Sequence, residues 1–210
     1  SATITDRLVA LSRALIGRIR GGLAQVNVLV SMFFAGMNGS VVADTATVGA
    51  LVLPAMKKAG YPAAFSAAVT GVSSTIGGII PPSIMMIVLA NATEISIASL
   101  FAAGIIPGIL IGVVIMVINH YFAVKYNFER SDEPFSVRRA GKELYRSSFA
   151  LLIPLVLVGS VMGGVASVVE AGAITALVAL FTGVFVYRTI KWKDCTGAFR
   201  RAFRNSAMVF

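Results

Sequence analysis

Cysteine and histidine are almost missing: the 210 residues contain one of each, Cys195 and His120. A lone cysteine excludes an internal disulfide and a cysteine metal cluster, and a lone histidine leaves no imidazole pair for zinc. Metal-dependent hydrolysis and Cys/His catalysis are therefore not expected. Charge is scarce as well, with 13% charged residues against 57% hydrophobic ones and a mean hydropathy of +0.87. Soluble domains average about a quarter charged residues, and such a domain could not hide this much apolar surface. The net charge of +9 does not imply nucleic acid, because the basic residues form short clusters between long apolar runs instead of one exposed face. An initiator Met and a signal-peptide pattern are also absent, and the chain stops in the apolar run Ser206-Ala207-Met208-Val209-Phe210. Both ends look cut, so an internal piece of a longer protein is expected.

What is present is apolar sequence in lengths that suit a bilayer, which takes about 20 helical residues to cross. The expected order is an amphipathic, interfacial segment at 1–25, a hairpin at 26–57, a helix at 62–90 and a helix at 97–124. A cytoplasmic loop with an interfacial helix at 125–148 follows, then two membrane helices within 149–188 divided at Gly163-Gly164, and a second interfacial segment at 189–210. The stretch 26–57 is interrupted at Gly36-Met37-Asn38-Gly39-Ser40. Its arms, about 11 and 16 residues, are too short to cross, so a re-entrant hairpin is expected. The basic residues agree. All 18 Lys and Arg lie within 7–20, 57–58, 125–146 and 188–204, which share one face if the hairpin returns to its starting side. The opposite loops, 91–96 and 159–167, contain none. The positive-inside rule makes the basic face cytoplasmic.

Two interruptions carry the chemistry. Asn38, Gly39 and Ser40 put a flexible backbone and two oxygen-bearing side chains where two short helices meet, exposing unpaired helix-end amides and carbonyls. Such oxygens suit a hard cation such as sodium, and helix N-termini suit a carboxylate; a plain tight turn is the alternative. The next span is interrupted at Ser73-Ser74-Thr75-Ile76-Gly77-Gly78-Ile79-Ile80-Pro81-Pro82-Ser83. Adjacent prolines remove two backbone donors, so the span reads as two half-helices with an extended link, or as a simple proline kink. Ser73, Ser74, Thr75 and Ser83 would supply further oxygens. Of nine acidic residues only Asp44 and Glu170 fall in apolar runs, where a carboxylate is a functional candidate. Asp44 either complements the dipole of the second hairpin arm or binds a cation. Glu170 reads as a cap or packing residue, and His120 as an interfacial side chain.

These motifs resemble the large membrane subunit of the tripartite ATP-independent periplasmic (TRAP) transporters. The resemblance runs through Gly36 to Asp44, Pro54-Ala55-Met56-Lys57-Lys58-Ala59-Gly60-Tyr61, Gly77 to Ser83, Leu100-Phe101-Ala102-Ala103-Gly104-Ile105-Ile106-Pro107-Gly108, and Glu170-Ala171. It implies an all-α polytopic membrane protein with an inverted-repeat, elevator-type fold, of which this chain holds the first repeat and the start of the second. It further implies sodium-coupled uptake of small organic acids across the bacterial inner membrane, with a small membrane subunit and a periplasmic substrate-binding protein as partners. No organic cofactor is implied, and the protein is not expected to be an enzyme. Residue by residue, Asn38, Gly39 and Ser40 match the hairpin tip, and Ser73, Ser74, Thr75, Gly77, Gly78, Pro81, Pro82 and Ser83 match the broken helix facing it. With Asp44 they form the expected substrate and ion site, in which Asn38, Ser40, Ser74 and Thr75 are candidate sodium ligands. Two departures stand out. Asn38 replaces the first serine of the family's Ser-Gly-Ser tip, and Ala166-Ser167-Val168-Val169 replaces its Thr-Pro-Thr before the glutamate. Competing readings are a sodium/carboxylate carrier that needs no binding protein, an intramembrane enzyme using Asp44 and Glu170, and a purely structural subunit.

Overall fold

Backbone amides and carbonyls in apolar surroundings have only one another as partners, which favours helix over every open structure. A computed structural model describes residues 2–16, 19–128 and 136–186, with positions 197 and 200. Among these there are eight α-helices and no strand: α1 Ala2–Ile16, α2 Gly22–Asn38, α3 Val41–Lys58, α4 Ala63–Ser74, α5 Ile84–Thr93, α6 Ile97–Lys125, α7 Val137–Met162 and α8 Val168–Phe181. A 3-10 turn, Thr75–Gly78, extends α4, and a π turn, Thr182–Val186, extends α8. Glu129, Asp132, Glu133, Cys195 and most of the expected segment 189–210 lie outside the described residues.

Helices α2 and α3, of 17 and 18 residues, pack side by side and are joined by Gly39-Ser40 alone. Helix α2 begins at Gly22, four residues before the expected start, because Gly21 turns the chain there in the left-handed conformation. At α3's far end Gly60 (φ 80°) reverses the chain. The Tyr61 amide donates to the Met56 carbonyl (3.1 Å) and the Gly60 amide to that of Lys57 (3.2 Å), so the last turn's acceptors are satisfied. Helix α6 ends the same way through Asn127 (φ 52°), with the Phe128 amide on the Ala123 carbonyl at 2.9 Å. The two reversals bring Tyr61 and Phe128 together at 4.7 Å between ring centroids, and Phe65 and Phe122 complete the cluster. This aromatic packing clamps the base of the hairpin to the end of α6.

The span expected at 62–90 is divided into α4, the 3-10 turn, an extended link through a cis Pro81–Pro82 bond, and α5. Helix α6 crosses behind this link and presents glycines to it. A Cβ on Gly104 would sit 2.5 Å from the Ile79 carbonyl oxygen, and one on Gly108 would collide with the Ile80 side chain. The main core lies among α1, α2, α3, α4 and α6 around Leu8, Val28, Val30, Val48, Met56 and Ile76. A smaller one joins Phe101 of α6 to Val161 of α7 and Ala171 of α8.

Helices α6 and α7 are long and apolar enough to cross a membrane. Helix α7 differs from the expected pair of a surface helix ending at 148 and a span starting at 149. It is continuous from its cap at Ser136, because the residues across that border (Leu144, Tyr145, Arg146, Ala150, Leu151) include no breaker. Helix α1 packs on its basic half: Arg7 Nη1 donates to the Arg146 carbonyl (2.8 Å) and Ser147 Oγ to the Arg7 carbonyl (3.3 Å).

Gly104→Ala should force the Ile79 carbonyl to move and lower stability by about 1–3 kcal/mol. Gly71, in α4 with open space around its Cβ position, is the control: Gly71→Ala should cost nothing, as read by thermal unfolding of the purified protein in detergent.

Candidate functional site

The hairpin tip seats against the break in the following span. Gly39 ends α2 with φ 57° and ψ 18°, its amide donating to the Ala35 carbonyl, a conformation that a side chain disfavours. Its position also leaves no room, since a Cβ would run into the Pro82 carbonyl and lie 3.1 Å from the Ser83 Cα. The Gly39 carbonyl accepts from the Ile84 amide at 3.1 Å, so the last carbonyl of one interruption satisfies the first amide of the other. On the other side of the tip, Ser40 and Val41 lie alongside Gly77 and Gly78, where even an added Cβ would meet them only at ordinary contact distances of 3.6 and 3.4 Å. Ser40 caps α3 by accepting from the Ala43 amide at 3.4 Å. Ser83 caps α5 by accepting from the Met86 amide (3.3 Å) and donates to the Gly78 carbonyl (2.7 Å), which holds the extended link closed.

One turn into α3 from this junction, Asp44 points into the interior and is 0% exposed. Neither carboxylate oxygen has a hydrogen-bond partner, and neither does the buried Ser74 hydroxyl. The hydroxyls of Ser74 on α4 and Ser31 on α2 approach this carboxylate without closing a hydrogen bond of full geometry. Helices α2 and α4 and the 3-10 turn, which surround Asp44, contain no charged residue at all. A carboxylate without partner or counter-charge is strongly disfavoured in such a place. Hydroxyl oxygens beside one negative charge suit a hard cation better than a transition metal.

The other sequence-picked residues fall into three groups. Gly39, Ser40, Gly77, Gly78, Pro82 and Ser83 meet at the junction, and Pro81 lies buried in the link beside them. Ser73 and Ser74 are both buried, but Ser73 turns towards Asn27 and Ser31 while Ser74 faces Asp44. Asn38 and Thr75 are exposed, Thr75 donating to the Val72 carbonyl of its own helix at 2.7 Å. Glu170 is bound up in a capping box, accepting from the Ser167 amide (2.8 Å) and hydroxyl (2.7 Å), and it lies on α8. It and Asp44 thus sit on different helices in different roles, which gives acid–base catalysis by the pair no geometric support.

Sequence reasoning passed over Asn27, Ser31 and Thr70. Asn27 Nδ2 donates to Thr70 Oγ1 at 2.7 Å, Ser73 Oγ to Asn27 Oδ1 at 3.3 Å, and Ser31 Oγ to Ser73 Oγ at 3.3 Å. The signal was there: Asn27 and Ser31 on α2, and Thr70 and Ser74 on α4, are polar pairs four residues apart in apolar helices, each on one helix face.

The family model for the DctM component of tripartite ATP-independent periplasmic transporters matches residues 1–210. This chain belongs to the DctM family. It is 36% identical over 192 residues to a C4-dicarboxylate TRAP transporter large permease protein of Pseudomonas aeruginosa, covering 91% of this chain and 45% of that protein. It is 32% identical over 209 residues to a sialic acid TRAP transporter large permease protein of Vibrio cholerae, covering 100% and 49%. A 2,3-diketo-L-gulonate TRAP transporter large permease protein of Escherichia coli is 36% identical over 206 residues, covering 98% and 48%. The DctM-family chain thus spans about half the length of these relatives. Its exposed apolar side chains on α5 and α6, Met85, Val88, Ile106, Leu110 and Val117 among them, fit a lipid or protein surround.

In this DctM-family chain Gly39→Ala meets both a left-handed backbone and the Pro82 carbonyl. The variant should lose about 2 kcal/mol or more, measured as a lowered unfolding temperature, whereas Gly60→Ala, with the same sign of φ but open space, should lose about 1 kcal/mol.

Proposed function

We propose that the parent protein is the large permease subunit of a sodium-coupled symporter that takes up small organic acids, such as C4-dicarboxylates, sialic acid or 2-oxo acids, across the bacterial inner membrane. The observation that carries this reading is Asp44: two fully buried carboxylate oxygens without partners, beside an unpartnered Ser74 hydroxyl, directly beneath the meeting point of two broken elements. A sodium ion bound there supplies the missing counter-charge, with Ser40, Asn38 and Thr75 available at the rim as further oxygens. The organic acid binds at the junction itself. The N-terminus of α5 and the caps of Ser40 and Ser83 offer the positive helix end and hydroxyls that a carboxylate requires. Ion and substrate then share one closed structure, so each stabilises the arrangement that binds the other, and coupling follows without covalent chemistry.

Helices α2 and α3, roughly 25 and 27 Å long at 1.5 Å per residue, form a re-entrant hairpin that stops short of the opposite face. The basic loops face the cytoplasm. Transport proceeds by an elevator movement of the hairpin and broken helix, in company with the second repeat carried by the rest of the parent. A small membrane subunit and a periplasmic substrate-binding protein complete the system. Support comes from the relatives, which are dicarboxylate, sialic acid and diketogulonate TRAP permeases by name.

Proteoliposomes carrying the full-length parent, its small subunit and its binding protein should take up one of a panel of labelled dicarboxylates, sialic acid and 2-oxo acids when sodium is supplied outside. Ser40→Ala and Asp44→Asn should each cut sodium-driven uptake by about tenfold or more. Uptake that is indifferent to sodium, or unaffected by both substitutions, would make the junction a structural turn and remove the ion-coupling role.

A further inference from the structure

Helix α6 is bare along one side. Leu110, Val114, Val117, Tyr121 and Lys125 follow one another at three- or four-residue spacing, which sets them in one row along the helix. The apolar and aromatic members of the row are 48–63% exposed, while the other side carries Gly104, Gly108 and Gly112 against the link and Met32. The row ends in charge: Lys125 Nζ stands 5.8 and 6.0 Å from the ring centroids of Tyr126 and Tyr121. A second cation arrives from another element. Gly21 turns the chain so close to α6 that a Cβ on it would collide with the Ala123 side chain. Arg20, the residue before it, donates from Nη1 to Asn127 Oδ1 at 2.7 Å. These two ties, to Ala123 and Asn127, bracket Lys125 in the chain. Neither Arg20 nor Lys125 is paired with a carboxylate among the described residues. The carbonyls of Phe122, Ala123 and Val124 accept from the Tyr126, Phe128 and Asn127 amides at 2.9, 2.9 and 3.3 Å, so little open carbonyl remains at this helix end to turn an anion away.

We propose that this end of α6 binds an anionic phospholipid, with the phosphate held by Arg20 and Lys125, an acyl chain along Leu110, Val114 and Val117, and the Tyr121 ring at the boundary between the two. Length favours a lipid over a free anion. From Leu110 to Lys125 the row rises about 22 Å at 1.5 Å per residue, and one leaflet with its headgroup layer is about 20–22 Å deep. The polar end fits a phosphate, which a guanidinium takes through two N–H groups and a lysine as a point charge. A tyrosine followed one turn later by a lysine, at the end of an apolar row, is the order expected where a helix leaves the hydrocarbon. A zwitterionic headgroup brings its own ammonium to the phosphate, so two cations without carboxylate partners favour a lipid of net negative charge. The inference goes beyond transport and stands apart from the ion site at Asp44. Its consequence is mechanical. The lipid joins the residue just ahead of α2 to the end of α6, beside the Tyr61–Phe128 contact that closes the base of the hairpin.

The test is native mass spectrometry of the purified full-length protein in detergent, titrated with phosphatidylglycerol or phosphatidylcholine. Wild type is compared with Arg20→Gln/Lys125→Gln and with Arg138→Gln/Lys142→Gln, which removes the same charge from exposed positions in the first turns of α7. Wild type should bind phosphatidylglycerol about tenfold more tightly than phosphatidylcholine, and Arg20→Gln/Lys125→Gln should abolish that preference. Arg138→Gln/Lys142→Gln should stay within about twofold of wild type. If the first double variant does not fold, Lys125→Gln alone should lower the preference by about fivefold. An equal loss in both double variants would mean diffuse attraction to a basic surface and would overturn the site. Displacement of the bound lipid by inorganic phosphate would assign the cations to a free anion and overturn the lipid. A wild type with no preference between the two lipids would overturn the proposal and leave the bare side of α6 to a protein neighbour.

Discussion

A backbone amide and a backbone carbonyl, each left over where a helix stops, must find each other inside apolar surroundings, and the bond from the Ile84 amide to the Gly39 carbonyl is how this chain meets that demand. Two interruptions that would each be costly alone become one satisfied junction when they face each other. The local sequence follows from the bond. Gly39 lacks a side chain because the Pro82 carbonyl occupies that space, and Ser83 ties the link back to the Gly78 carbonyl. Behind the link, Gly104 makes room for the Ile79 carbonyl, so α6 is shaped to a backbone that is not helical.

Polar groups in the interior fall into two populations with opposite meanings. Along α2 and α4, Asn27, Ser31, Thr70 and Ser73 hydrogen-bond to one another or to the α4 backbone, and a network of that kind fixes helix rotation and spacing where apolar packing alone is tolerant. Asp44 and Ser74 next to them are buried and unsatisfied. The satisfied set gives the frame its shape. Asp44 and Ser74 leave oxygens unpaired, and the proposed ion site rests on them.

Much of this was legible in residues that break the apolar pattern. Gly39-Ser40 and Pro81-Pro82 announced two interruptions, and the positions of Asp44 and Glu170 in apolar runs marked both as residues needing an explanation. The Ser167-Val168-Val169-Glu170 spacing already described the cap that Glu170 forms. The mutual fit of tip and break was not legible, because no residue type encodes that the Gly39 carbonyl will reach Ile84, forty-five positions later in the chain. Asn27 and Thr70 were missed for a related reason: each is unremarkable within its own helix, and their meaning lies in facing each other across the α2–α4 contact. The continuity of α7 was obscured by a change from charged to apolar composition near residue 149, which alters what surrounds the helix without altering its backbone preference.

The aromatic cluster at the hairpin base sets where this unit can give. Tyr61, Phe65, Phe122 and Phe128 interlock the α3–α4 turn with the end of α6, whereas the tip is joined to the link by a single backbone hydrogen bond worth about 1 kcal/mol and by close contact around glycines. The hairpin is therefore a lever with a pinned heel and a lightly held toe. Whatever loosens it does so at the toe first, and the pivot lies at the end where the lysines of α3 and α6, Lys57, Lys58 and Lys125, gather.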